Sequence, residues 1–212
     1  VAIDLPGTGQ AAVTVAKAAI PRGAPDYYAG AVANSVLGGG YSARLNQDIR
    51  IKRGLSYGAS SRLSGMRTTG LFRAVAQTKN ESAPQVLDLI LAELQRMAQT
   101  PAGADELKAR KSVLIGGFGR ELATTDGLAG ILGNLALYDL PLTEVADYTG
   151  KVEAVTAAQV QAFSAKELSP AGVSVIVAGD AKAFEDGLKQ RRPNLEVIPA
   201  KDIDLDAASL KK

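Results

Sequence analysis

The chain contains no cysteine, no histidine and no tryptophan. Without Cys there is neither a disulfide nor a thiol nucleophile. Without His there is no Ser-His or Cys-His triad, and without either no His- or Cys-based zinc site. Aromatic residues make up only 5% of the 212 positions, and neither charge dominates: 24 Lys+Arg stand against 22 Asp+Glu, a formal net charge of +2. The basic residues are scattered and gather only in short pairs such as Arg110-Lys111 and Arg191-Arg192. A nucleic-acid binder concentrates them on one face beside stacking aromatics, so nucleic acid is not expected as a partner. No apolar run reaches the roughly 20 residues needed to span a bilayer, so no transmembrane segment is expected. Carboxylates alone can hold a hard cation, but the alternating Asp202, Asp204 and Asp206 lie in a polar, charged stretch and read as solvated coil. The chain begins at Val1, with neither an initiator Met nor a charged-then-apolar leader, and is expected to be processed or cut from a longer polypeptide.

What is present suits a globular core: 46% hydrophobic and 22% charged residues. Gln10–Ile20 has strand character, with Val13 and Val15 on one face. A helix is expected from Asp26 to Leu37, stopped by Gly38-Gly39-Gly40, and a second from an N-cap at Ser42 to about Lys52, stopped by Gly54. Leu55–Leu63 and Thr69–Thr78 read as a hairpin. Ser82-Ala83-Pro84-Gln85 is a capping-box pattern, followed by Val86, Leu87, Ile90, Leu91, Leu94 and Met97 on one helical stripe. Further helices are expected over Asp105–Leu122, with Leu107, Leu114, Phe118 and Leu122 inward, around Leu128–Leu135, and from a second capping box at Thr156. Val173, Val175 and Val177 mark a last strand ending at Gly179-Asp180. The order predicts an α+β fold, helices on one face of a mixed, largely antiparallel sheet, forming one domain over residues 1–212 with flexible ends at 1–9 and 192–212.

Three features invite a chemical reading. Gly38-Gly39-Gly40 lets backbone N–H groups approach a ligand, but it lacks the G-x-x-x-x-G-K-[ST] frame and follows a helix, so a joint between helices is the better reading than a phosphate loop. The glycines of 116–119 and Gly127, Gly130 and Gly133 fall inside helical patterns, where each costs about 1 kcal/mol against Ala; close packing or a bend explains them. Arg50 sits near the end of its helix, Tyr57 stands just inside the next strand beyond the Gly54 turn, and across a turn this tight the two side chains are expected to converge on one spot. A guanidinium offers a planar fork of donors to peptide carbonyls or a carboxylate, and a phenol can donate to a forming oxyanion. Equally compatible with the spacing is a surface Arg placed favourably at a helix C-terminus beside a Tyr that packs on the sheet.

The run of glycines at 38–40, then Tyr41-Ser42-x-Arg44-Leu45, then Ile49-Arg50-x-Lys52-Arg53-Gly54-Leu55-x-Tyr57, resembles the corresponding segment of the M16 insulinase-like zinc peptidases, which include pitrilysin and the mitochondrial processing peptidases. The resemblance implies one of two α+β halves that close like a clam-shell on an unfolded peptide. One half of such an enzyme holds zinc through an inverted His-x-x-Glu-His motif; the other lacks metal and offers an Arg and a Tyr to the substrate. This chain matches the second, non-catalytic kind, and the absence of His agrees. The implied substrate-binding residues are Gly38, Gly39, Gly40, Arg50 and Tyr57, with Arg50 and Tyr57 in an auxiliary catalytic role and Arg53 the alternative to Arg50. No cofactor is expected in this chain; zinc is expected in the partner half, fused or separate, with a peptide as substrate. Bacterial relatives of this kind are often exported, which points to the periplasm or cell envelope. Two other readings follow: a scaffold or assembly subunit of the same fold without a proteolytic role, and a module that binds peptide alone by strand addition at a sheet edge.

Overall fold

The computed structural model describes residues 1–209 and 211. Its centre is a six-stranded sheet built from β1 (Ala2–Asp4), β2 (Gln10–Ala19), β3 (Ser56–Gly65), β4 (Gly70–Lys79), β5 (Ser174–Gly179) and β6 (Val197–Pro199), in the order β3-β4-β2-β5-β1-β6. β3, β4, β2 and β5 pair antiparallel, whereas β1 runs parallel to both β5 and β6. The sheet is thus mixed and mainly antiparallel, the α+β architecture expected from the element order. The segments read from sequence as a lead-in and a tail in fact contribute β1 and β6. Both strands are three residues long, too short for a period-2 pattern to show, and they are held by pairing to β5 and to each other.

Strand alternation decides which face is covered. In β4, Gly70, Phe72, Ala74, Ala76 and Thr78 are buried while Leu71, Arg73, Gln77 and Lys79 are exposed. In β2, Ala11, Val13 and Val15 are buried on the same side. Against this face pack α1 (Tyr27–Gly38) and α2 (Ala83–Gln99), with α6 (Ala157–Phe163) packed on both of them, α3 (Ala104–Leu122) and α5 (Glu144–Ala154) against α1, α4 (Thr125–Leu137) against α3, and the short α7 (Glu185–Arg191) near the β1 edge. Helix α2 matches most of its predicted stripe: Val86, Leu87, Ile90, Leu94 and Met97 are buried, and Leu91 is half-buried at its margin. Burial of each such side chain contributes about 1.5–3 kcal/mol, so this helix anchors the core. Gly30 lets α1 reach α6, because a Cβ there would fall 2.6 Å from the Phe163 ring.

Local capping fared unevenly. The Thr156–Gln159 box forms in both directions. Ser82 makes no side-chain cap, because Asn80–Ser82 is a 3-10 turn that leads straight into α2 and leaves Ser82 with near-helical backbone angles. Helices α5 and α7 escaped the sequence reading: Glu144 and Val152 are the buried positions of α5 and Leu188 that of α7, too few for an apolar stripe.

Candidate functional site

The C-terminal end of α1 is pressed directly onto β3. A Cβ on Gly38 would lie 2.2 Å from the Ser61 backbone nitrogen, so only glycine permits this approach. Gly40 follows with φ of 150°, in a region that side chains disfavour. The chain then turns through Tyr41 and Ser42, and two arginines fix the turn. Arg110, buried on α3, donates to the Ser42 hydroxyl, and its Nη1 lies 3.8 Å from the position a Gly40 Cβ would take. Arg44 forks onto Glu106, with Nε–Oε1 at 2.8 Å and Nη2–Oε2 at 2.7 Å, and reaches Glu93 at 3.3 Å. The bond from Arg44 holds the Glu106 carboxyl below the usual carboxylate range against the opposing effect of burial. Ser42 therefore serves as an acceptor for Arg110 rather than as the helix cap expected from sequence.

The helix that follows is not an ordinary α-helix. Asn46–Ile51 is a π-helical segment, a rare geometry that concentrates at functional sites. Asn46 is buried and works in two directions: its side-chain N–H donates to the Tyr41 carbonyl at 2.6 Å, and its oxygen accepts from the Ala59 backbone at 3.3 Å. One side chain thus ties the glycine-rich turn to the start of β3. Gly54 closes the segment with φ of 63°, its N–H bonded to the Arg50 carbonyl, as the sequence predicts.

Arg50 and Tyr57 flank this Gly54 corner. The Arg50 guanidinium lies over the ring of Tyr41, 5.1 Å from its centroid. The ring beneath Arg50 is therefore Tyr41 rather than Tyr57, and Tyr41 is a residue that spacing alone had not singled out. Arg53 turns back onto Asp48, donating to both its carboxylate and its carbonyl. Tyr57 is 86% exposed. It sits where the β3–β4 register shifts between Ser56 and Ala59, and a tight exchange between the Ser56 hydroxyl and Gly58 shapes the irregularity. Such a bulge re-aims a side chain, here away from the core. Because β3 is the outermost strand on its side of the sheet, Tyr57 stands on an edge strand.

The other end of α1 carries a second polar cluster. The Glu144 carboxylate, almost fully buried, accepts from Tyr28 at 2.5 Å, from Arg22 at 3.3 Å and from Lys151. Burial pushes this carboxyl upward, but those three donors prevail and hold it below its ordinary value. Burial and the bond to Glu144 raise the Tyr28 phenol. A pocket of about 430 Å³ opens beside it, lined in part by Arg22, Tyr27 and Gln159. Every charge here has a partner, so the cluster works as a staple between α1 and α5. As for metal, no group of three His, Cys, Asp or Glu among the described residues is placed to hold an ion.

Comparison with known proteins fits this arrangement. The family described as "Peptidase M16 inactive domain" matches residues 1–114, a stretch that includes the whole Gly38–Tyr57 corner. An uncharacterized zinc protease of Streptomyces coelicolor is 30% identical over 196 residues, covering 92% of this chain and 38% of that protein. A crystal structure of a peptidase M16 inactive domain from Pseudomonas fluorescens is 31% identical with a TM-score of 0.78, covering 84% of this chain and 42% of its own. The inactive peptidase domain of a putative zinc protease from Bordetella parapertussis shares the fold at 17% identity and a TM-score of 0.69, over 82% of this chain and 94% of its own. The chain thus spans less than half of the Streptomyces and Pseudomonas relatives, and nearly all of the Bordetella domain. Fold, matched segment and relatives agree: this chain belongs to the M16 peptidase family, as one of its inactive domains.

Proposed function

We propose that this chain is the substrate-holding half of a zinc-dependent M16 peptidase, binding and orienting unfolded peptide for hydrolysis by a metal-bearing partner half. The observation that carries this reading is the state of Arg50. The residue is half-buried and has no carboxylate partner among the described residues, its guanidinium resting on an aromatic ring beside a sheet edge. A guanidinium so placed keeps its donor fork free for peptide carbonyls or a terminal carboxylate. Arg53, by contrast, is engaged by Asp48, which supports Arg50 as the substrate-facing arginine. Tyr57 stands exposed beyond the Gly54 corner, and its hydroxyl is free to donate to an oxyanion formed at the scissile carbonyl. Gly38, Gly39 and Gly40 form the turn that carries Tyr41 and so support the Arg50 platform. The residues of this chain do not suit zinc; the metal belongs to the partner half, which supplies the activated water.

The test is turnover of the assembled enzyme with Tyr57→Phe. Loss of one oxyanion donor lowers kcat by about 10²–10³, with an unchanged Tm because the side chain is exposed. Wild-type turnover in that variant would remove Tyr57 from the reaction and leave the scaffold reading in its place.

A further inference from the structure

Within the α3–α4 hairpin, helix α4 and the 112–119 stretch of α3 have the composition of an interior and the position of a surface. No charged residue occurs in Ser112–Gly119 or in Gly127–Tyr138. A helix this apolar is normally buried all round. Yet Leu135 is the one buried position in the thirteen residues of α4. Val113, Leu128, Leu132 and Leu137 are 46%, 38%, 37% and 57% exposed. The sequence had read Leu114, Phe118 and Leu122 of α3 as inward; all three are only half-buried.

The glycines of the hairpin sharpen the anomaly. At Gly119, Gly130 and Gly133 an added Cβ would meet nothing within 4 Å, and none of the three has a positive φ. Each weakens its helix by about 1 kcal/mol relative to Ala, and nothing among the described residues requires it. Gly30 and Gly38 show what an internal requirement looks like, with neighbours that a Cβ would strike at 2.6 Å and 2.2 Å. Close packing within the chain, one of the two sequence-based explanations for the helical glycines, therefore fails at these three positions, although it holds at Gly127, where a Cβ would fall 2.1 Å from the Glu121 carbonyl oxygen. What they permit is close approach by a backbone from outside.

We propose that this α3–α4 face is the surface on which the zinc-bearing M16 half docks, an inference that rests on the reading of the chain as one half of a two-part peptidase. The size of the relatives names the occupant. This chain covers only 38% of the Streptomyces zinc protease, which therefore carries a further portion larger than the matched one. With neither His nor Cys here, the zinc site belongs in such a portion. The surface has the anatomy of a stable interface: an uncharged apolar centre with small residues for close contact, rimmed by Arg120, Glu121 and Asp126 at the helix turn and by the Arg67–Asp139 pair at the far end.

The experiment pairs this chain with the zinc-bearing half expressed as a separate chain, and measures affinity, hydrogen exchange and the melting of the free chain. Two variants are used: Leu128→Glu with Leu132→Glu, and Gly130→Ala with Gly133→Ala. Assembly should slow exchange across residues 112–137. The Glu variant should bind about thirty-fold more weakly or worse, as loss of a central contact does. The Ala variant should melt at a higher temperature when free and still bind more weakly, a combination that a purely structural role for the glycines cannot give. Full affinity in both variants, with exchange unchanged in the hairpin, would move the docking surface elsewhere and leave the substrate-holding reading intact. Self-association of the free chain, abolished by the Glu variant, would overturn the proposal in favour of a second copy. Failure of the two wild-type halves to associate at all would overturn both readings.

Discussion

Arg44 and Arg50 belong to the same short helical stretch, yet the fold treats them in opposite ways. Arg44 is 12% exposed in its side chain, and its guanidinium is bound by the carboxylates of Glu106 and Glu93. Arg50 meets only the face of Tyr41 among the described residues. The first is committed to holding the chain in place, and the second is the one proposed to meet the substrate. The ends of α1 repeat the contrast. At its start, Glu144 is saturated by Tyr28, Arg22 and Lys151; at its end, the Gly38–Tyr57 corner presents Tyr41 and Tyr57 outward, 64% and 86% exposed. A saturated cluster stabilises, whereas the unsaturated one at the sheet edge keeps its donors for the peptide proposed above.

The comparison breaks most visibly at Arg44. Arg44→Ala would strand Glu93, whose side chain is 4% exposed, without its buried counter-ion, and removal of one partner from a buried pair costs about 3–5 kcal/mol. Arg96 also contacts Glu93 at 2.5 Å and keeps the loss toward the low end. Arg50→Ala should change stability by no more than about 0.5 kcal/mol while lowering turnover of the assembled enzyme. Denaturant melts of the two variants, set beside their activities, test this inversion, and equal destabilisation would erase the distinction. Asn46→Ala comes next. It leaves the buried Ala59 N–H and the Tyr41 carbonyl without their partner, a loss of about 1–3 kcal/mol. Because the clamp also positions Tyr41 under Arg50, peptide affinity should fall with it. Affinity that stays at the wild-type level would make Asn46 purely structural.

The smallest effect concerns pH. The Glu106 carboxyl is depressed below its reference value of 4.5 by Arg44. A depressed acid contributes stability that is complete above the unfolded-state value and disappears as pH falls through the folded one. Melting temperature should therefore decline below about pH 4.5 in the wild type, and the decline should be shallower in Glu106→Gln. An identical acid limb in both proteins would show that the fork between Arg44 and Glu106 adds nothing.

Much of this molecule was readable along the chain. The stripe of α2, the box at Thr156, the glycine stop at Gly54 and the alternation of β2 are local signals, each contained within a few residues, and each formed. The short strands β1 and β6 were not readable, because their pairing comes from β5 and from each other, and their own residues show no period. Nor was Tyr41 legible as the platform for Arg50. Its ring reaches that position only after the π-helical turn and the Asn46 clamp have set the path between them.

By itself, the absence of His and Cys in the sequence determined that this chain holds no conventional zinc site, and its periodicity determined an α+β fold. Only the tertiary structure decided which arginine is spoken for. Glu106 lies 62 positions from Arg44 and Arg110 lies 68 from Ser42. Contacts over such separations leave no local periodic trace, because they arise when α2 and α3 are brought against α1 by burial of the core. The same packing left α4 uncovered, which no hydrophobicity pattern could announce, since an apolar helix reads alike whether its cover lies within the chain or in a partner.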